Sequence, residues 1–327
     1  MTDVPLRLAS ADYVRVLPLL GGHVRAEGIA LHLELGRDGS WPTRASILSR
    51  SLNDPDLHGG EGSMAQHLRR VANGDRSHVG IPVFVLRGFV HRDLYVRRGG
   101  KMRTAADLLG ARVGMYSWSA SGSIWYRQAQ QDLGVPVDEV TWVIGNIEGT
   151  SLAPVGDLPP GVEAAPAGRP IAELLAEGAV DAMWSPPRPQ LYHPTEGKLA
   201  RLFPDFVPAE RAYWAKHQFW PAMHLIVLRR AVWEANPWIG RALVDAFNAA
   251  DAQFEASQRA FPVGTPWLEA DLESTSALMG DRYWWHGVEQ NHAMLDAFCG
   301  MAHQLGITSR RVSVEEYFAE YLESGGA

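Results

Sequence analysis

The 327-residue chain is 46% hydrophobic and 20% charged, enough apolar material for more than one packed core. Its formal net charge of −7, with basic pairs scattered at Arg69-Arg70, Arg97-Arg98, Arg229-Arg230 and Arg310-Arg311, excludes nucleic acid as the main partner, since phosphate binding needs clustered Lys and Arg. No apolar run approaches the ~18 residues of a spanning helix, and the single cysteine, Cys299, excludes an intrachain disulfide.

The first residues, Met1-Thr2-Asp3-Val4-Pro5, lead straight into a strand over Leu6–Ser10. They show no basic segment followed by an apolar stretch and a small-residue cleavage site, so a cytoplasmic location is expected. A second strand is predicted over Ile29–Leu35, and helices over Thr43–Leu52 and Ser63–Ala72. Gly80–Leu86 and Leu94–Arg97 read as strands. Thr104-Ala105-Ala106-Asp107 has the form of a capping box, and Gly110 stands where a helix stops. Arg112–Met115 is a short strand, followed by a helix opening near Ser119–Ser123 and running to about Leu133.

Glu139–Ile144 is the next strand. Residues 145–170 are rich in Gly and Pro and read as a loop and candidate lid. Ile171–Glu177 is a short helix stopped by Gly178, and Val180–Trp184 a strand. Leu225–Leu228 is again strand-like, and helices dominate after Pro237, with Met294, Leu295, Phe298, Met301, Ala302 and Leu305 on one face. Strands alternating with helices imply α/β architecture with mostly parallel sheets. The order predicts a discontinuous first lobe, residues 1–95 and 223–327, and an inserted second lobe, 96–222. Leu94–Arg97 and Leu225–Leu228 are the expected hinge crossings, with a ligand in the crevice between the halves.

Several strings then resemble one family. They are Ile81-Pro82-Val83-Phe84, Arg87-Gly88-Phe89-Val90-His91, Leu94-Tyr95-Val96, Leu108-Leu109-Gly110-Ala111-Arg112-Val113-Gly114 and Gly178-Ala179-Val180-Asp181-Ala182. Phe203-Pro204-Asp205, Trp220-Pro221-Ala222-Met223-His224 with Arg229-Arg230, and Met279-Gly280-Asp281 through Gly287 complete the set. In order and over nearly the whole chain they resemble the 4,5-dihydroxyphthalate decarboxylases. The resemblance implies a two-lobed type II periplasmic-binding-protein-like fold and a carboxy-lyase of aromatic-compound metabolism acting on a hydroxylated, phthalate-like carboxylate. The sequence departs from the family at Ala11-Asp12-Tyr13, at Gly60-Glu61-Gly62-Ser63-Met64 and at Tyr116–Ser123, which leaves the exact substrate open.

No Gly-x-Gly-x-x-Gly or Gly-x4-Gly-Lys-Ser/Thr motif offers a seat for a phosphate-bearing cofactor, so none is expected. A phenol para to the departing carboxylate offers a cofactor-free route, which needs a general acid, a general base and a cationic clamp. His91 and His224, each beside a predicted crossing, are the acid/base candidates, with Glu61 beside them. The same three would also supply the two imidazoles and one carboxylate of a divalent-metal site, although no compact His-Glu-x-x-His spacing is present. His286 is a weaker candidate.

Arg15, Arg87 and Arg188 are candidate carboxylate clamps. Ser117, Ser119, Ser121 and Ser123 precede or open a helix suited to an anion, with N-capping as the structural alternative. Trp118 and Trp125 are candidate stacking surfaces for an aromatic ring, with lobe core as the alternative. Two other classes stay open on the same fold: a carboxylate-binding protein without chemistry, and an enzyme of the menaquinone-precursor or thiamine-pyrimidine type. The partners expected are a small aromatic carboxylate and, at most, a second copy of the chain.

Overall fold

The computed structural model describes residues 3–36, 41–149 and 158–325. The chain divides into two compact units. The first comprises Met1–Arg87, Ala222–Cys299 and Val312–Ala327; the second comprises Gly88–Pro221 and Gly300–Arg311.

The first unit opens with β1 (Val4–Ala11), α1 (Leu17–Leu20), β2 (Ile29–Gly36), α2 (Trp41–Asn53), β3 (Gly59–Ser63), α3 (Met64–Ala72) and β4 (His78–Arg87). The second contains β5 (Leu94–Arg97), β6 (Arg112–Met115), α4 (Ser121–Asp132), β7 (Thr141–Ile144), β8 (Glu163–Ala164), α5 (Ile171–Glu177), β9 (Ala182–Trp184), β10 (Leu199–Arg201) and α6 (Val207–His217). The chain returns to the first unit through β11 (Ala222–Arg229), α7 (Arg230–Ala235), α8 (Ile239–Ala260) and α9 (Leu268–Met279). α10 (His292–Gln304), α11 (Val314–Tyr317) and α12 (Ala319–Glu323) follow. No helix among the described residues is long and apolar enough to cross a membrane.

Each unit is built on its own sheet. The first has the order β2-β1-β3-β11-β4 and the second β10-β5-β9-β6-β7-β8. β5, expected at a crossing, lies inside the second sheet, where it pairs antiparallel with β9 on one side and β10 on the other. Ladder bonds on both edges fix it there. Residues 150–157 of the expected lid lie outside the described residues; Ile171–Glu177 forms the predicted helix and ends at Gly178, whose φ of +85° suits a glycine stop.

The strand that positions the site is β3, Gly-Gly-Glu-Gly-Ser, squeezed between parallel β1 and antiparallel β11. A Cβ on Gly59 would stand 2.0 Å from the Val227 carbonyl oxygen, and one on Gly60 would stand 2.3 Å from that of Ala9. Both glycines have φ near +149°, a region L-residues rarely adopt. The glycines therefore let three backbones approach closely while Glu61 alone projects a long side chain. Ser63 ends the strand and caps α3, its hydroxyl accepting from the Gln66 N–H.

Gly60→Ala is expected to destabilise the first unit by about 2–5 kcal/mol, from backbone strain and overpacking together. Urea denaturation of the variant against wild type measures it; an unchanged midpoint contradicts the close packing of β3.

Candidate active site

Within the first unit, Glu61 is 2% exposed and holds three donors. Its Oε2 accepts from the Ala11 backbone N–H at 2.8 Å. Its Oε1 accepts from the Tyr13 hydroxyl at 2.5 Å and lies 2.5 Å from His224 Nδ1. The register explains the meeting. Glu61 pairs with Ile226 and Ser63 with His224 across the β3–β11 ladder, so Glu61 and His224 are diagonal neighbours on one sheet face. The β11–β4 ladder shifts register on both sides of His224, an irregularity of the kind that re-aims a side chain.

Burial alone would raise the Glu61 pKa, but the hydrogen bond and charge of His224, with Tyr13 and Ala11, hold it below the ordinary carboxylate value. An ionised Glu61 accepts from Nδ1–H, which leaves Nε2 as the working nitrogen of His224. That side chain is 19% exposed, and Nε2 has no hydrogen-bond partner among the described residues. A carboxylate at one ring nitrogen supports positive charge when the other takes up a proton, the division of labour of a carboxylate–histidine pair in acid–base catalysis.

His91 belongs to the second unit. It follows β4 in a single 3-10 turn, is 2% exposed and packs edge-on against Phe203 and Tyr213. Burial drives its pKa down to about 4, so it is neutral at pH 7, and its Nδ1 has no hydrogen-bond partner among the described residues. It reads as a packed ring. Glu61 and His224 are thus brought together within one unit and His91 sits in the other. Among the described residues no group of three His, Cys, Asp or Glu side chains is placed to hold a metal ion.

The three expected clamps have different fates. Arg15 is already committed: it lies 3.5 Å from Asp251 and 3.2 Å from Glu255, and stacks 4.1 Å over the Trp284 ring. Arg87 is buried, donating to the Trp285 carbonyl at 2.7 Å and to Asn291 Oδ1 at 2.5 Å. Both tie the 283–291 segment to the sheet and its helices. Arg188 is exposed and makes no ion pair or hydrogen bond among the described residues. His286 is also structural. Its Nδ1 accepts from the Phe84 N–H at 2.9 Å, which puts the proton on Nε2, 2.9 Å from Asp251.

In the second unit, Ser117, Trp118 and Ser119 are half-buried in the turn before α4, and Ser121 is buried in its first turn. The N-cap position is Ala120, with no side-chain cap, so none of the serines fills that role. Trp125 is 1% exposed and packs against Phe219, a core position rather than a surface for substrate. Trp118 stacks on Arg127. Tyr13 and Arg127 were not among the expected site residues. Tyr13 was within reach from the sequence, standing two residues past the carboxyl end of the first strand.

No family model matches the chain. A protein of Comamonas testosteroni named 4,5-dihydroxyphthalate decarboxylase is 29% identical over 326 residues, 97% of either chain. Another of the same name, from Pseudomonas putida, is 30% identical over 210 residues, 63% of this chain and 79% of its own. The chain belongs to the 4,5-dihydroxyphthalate decarboxylase family. With that family it falls among the carboxy-lyases. Of solved structures, the alkanesulfonate-binding protein SsuA of Xanthomonas axonopodis pv. citri superposes with a TM-score of 0.52 at 15% identity, covering 97% of this chain and 98% of its own. The periplasmic aliphatic sulphonate binding protein SsuA of Escherichia coli gives 0.51 at 15%, covering 97% and 100%. These likenesses establish the periplasmic-binding-protein fold for this decarboxylase-family chain, and the fold alone.

The His91 assignment has a pH signature. A ring with pKa near 6.5 when unfolded and about 4 when folded contributes stability that is full above pH 6.5 and is lost as the pH falls toward 4. His91→Leu is therefore expected to lose less stability than wild type between pH 7 and pH 5. Urea midpoints at both pH values measure this, and equal losses contradict a buried neutral His91.

Proposed function

We propose that the chain decarboxylates a hydroxylated, phthalate-like aromatic carboxylate, with His224 moving the proton and Glu61 and Tyr13 holding it in place. Family membership supports the reaction class, since both relatives carry the name 4,5-dihydroxyphthalate decarboxylase. The observation that carries the assignment of residues is the Glu61–His224 pair, with Nδ1 engaged at 2.5 Å and Nε2 without a hydrogen-bond partner among the described residues.

The chemistry asks little more of the protein than placed protons. A phenol para to the departing carboxylate gives up its proton, and the ring carbon bearing that carboxylate accepts one, forming a neutral dienone ring. The bond to the carboxylate carbon then breaks. Its electron pair returns to the ring, CO2 leaves, and the resulting phenolate is reprotonated. The ring has gained one proton in place of CO2, and no oxidant or reductant is consumed. His224 Nε2 suits the transfer at carbon, because Glu61 stabilises the imidazolium that delivers the proton. Arg188, exposed and unpaired among the described residues, keeps its place as a candidate clamp for a substrate carboxylate.

Turnover in heavy water is expected to be slower and to leave one deuterium at the vacated ring carbon, read by mass spectrometry of the product. His224→Gln is expected to lower kcat by about 10²-fold or more, since an amide keeps the shape but exchanges no proton at neutral pH, whereas His91→Leu keeps kcat within a few-fold. A chelator leaves wild type active if the route uses no metal; activity lost and restored by one divalent cation replaces it with Lewis-acid chemistry. Full activity in His224→Gln overturns the assignment, and absence of CO2 release from every hydroxylated phthalate tried returns the carboxylate-binding reading to first place.

A further inference from the structure

The second unit buries a positive charge that has no negative partner among the described residues. Arg127, in the second turn of α4, is fully buried. Its Nε donates to the Ser123 carbonyl at 2.9 Å, and its Nη2 donates to the Trp118 carbonyl. The guanidinium carbon stands 4.0 Å from the centre of the Trp118 ring. These contacts turn the side chain back along the helix toward its first turn, the direction helical side chains naturally take.

The third nitrogen, Nη1, is buried without a hydrogen-bond partner among the described residues. So is Nε1 of Trp118, the ring stacked on it. Every acceptor that Arg127 does find is a neutral carbonyl, and it forms no ion pair among the described residues. Burial lowers its pKa only to about 9, so the charge persists at neutral pH. A desolvated cation with an idle donor is costly unless something of opposite sign sits beside it. The helix start adds to the same field. Ala120 at the N-cap supplies no side-chain acceptor, and the first backbone N–H groups and the helix dipole favour an anion.

We propose that the first turn of α4, with Arg127 and Trp118, forms a carboxylate-binding site of the second unit. Arg127 Nη1 and Trp118 Nε1 are its side-chain donors, both buried, and the half-buried Ser117 and Ser119 flank Trp118 in the chain. The indole covers the guanidinium, so a ligand entering the site shifts Trp118. Every residue in this site belongs to the second unit, so the inference stands on its own geometry and not on the proton-transfer reading.

The test is thermal unfolding of the full chain with benzoate, a carboxylate that lacks the phenol, and with chloride at matched ionic strength. Wild type is expected to show a saturable rise in Tm with benzoate and none with chloride. Arg127→Met is expected to weaken the apparent affinity by about tenfold or more. Trp118→Phe keeps the ring but removes Nε1–H, and is expected to weaken benzoate while leaving the ligand-free Tm unchanged. His224→Gln is expected to keep the full response, which separates this site from the first unit's pair and from any failure of the decarboxylase reading. If Arg127→Met does not fold, Arg127→Lys and Trp118→Phe decide. The proposal is overturned by no saturable benzoate response in wild type, by an equal response to chloride, or by variants at Arg127 and Trp118 that bind benzoate as wild type does.

Discussion

A carboxylate buried at 2% exposure in the middle of a five-stranded sheet has to be held by donors, or its charge would be expelled. Glu61 is held by three, one from the backbone of β1, one from Tyr13 just beyond that strand, and one from His224 on β11. The arrangement exists because β3 is glycine on both sides of Glu61. Gly59 and Gly60 let the neighbouring backbones close in, and Gly62 leaves room for the Val227 side chain, which would stand 3.0 Å from an added Cβ. The local rule that glycine weakens a strand is overridden by packing, and the result is one long acidic side chain at a fixed position. The Glu61–His224 contact and the orientation of His224 follow from that placement, and the proposed chemistry is built on them.

Much of the framework was legible because periodicity and turn chemistry are local. β1, β2, β4, β5, β6 and α5 lie where the alternation of apolar residues and the glycine stops put them. β3 was not legible as a strand, since Gly-Gly-Glu-Gly-Ser offers no β-branched or aromatic residue and pairs only through tertiary contact. α6 was missed as well: among its eleven residues only Glu210 and Tyr213 are buried, so it carries no apolar stripe. At the site, the resemblance pointed to His91 and His224, and Glu61 was grouped with both as one candidate set. The Glu61–His224 contact depends on the β3–β11 register, which no local pattern encodes.

The arginines show why charge type alone underdetermines role. Arg15 and Arg87 are spent on internal acceptors that arrive from α8 and the 283–291 segment, more than 160 residues away in the chain. Among the described residues Arg188 has no such partner, and Arg127, which drew no notice as a residue inside a helix, has its buried Nη1 left without an acceptor. Whether a guanidinium is structural or available is decided by what the fold brings to it, and the sequence contains that information only through the long-range topology.

The central claim is that Glu61 makes His224 an acid–base group. Its most direct test is the kcat of Glu61→Gln, measured on protein whose near-UV circular dichroism and urea midpoint show it folded. The amide keeps the volume but removes the charge that supports the imidazolium, so kcat is expected to fall by about 10²-fold or more with KM little changed. A folded Glu61→Gln enzyme turning over at the wild-type rate would contradict the account.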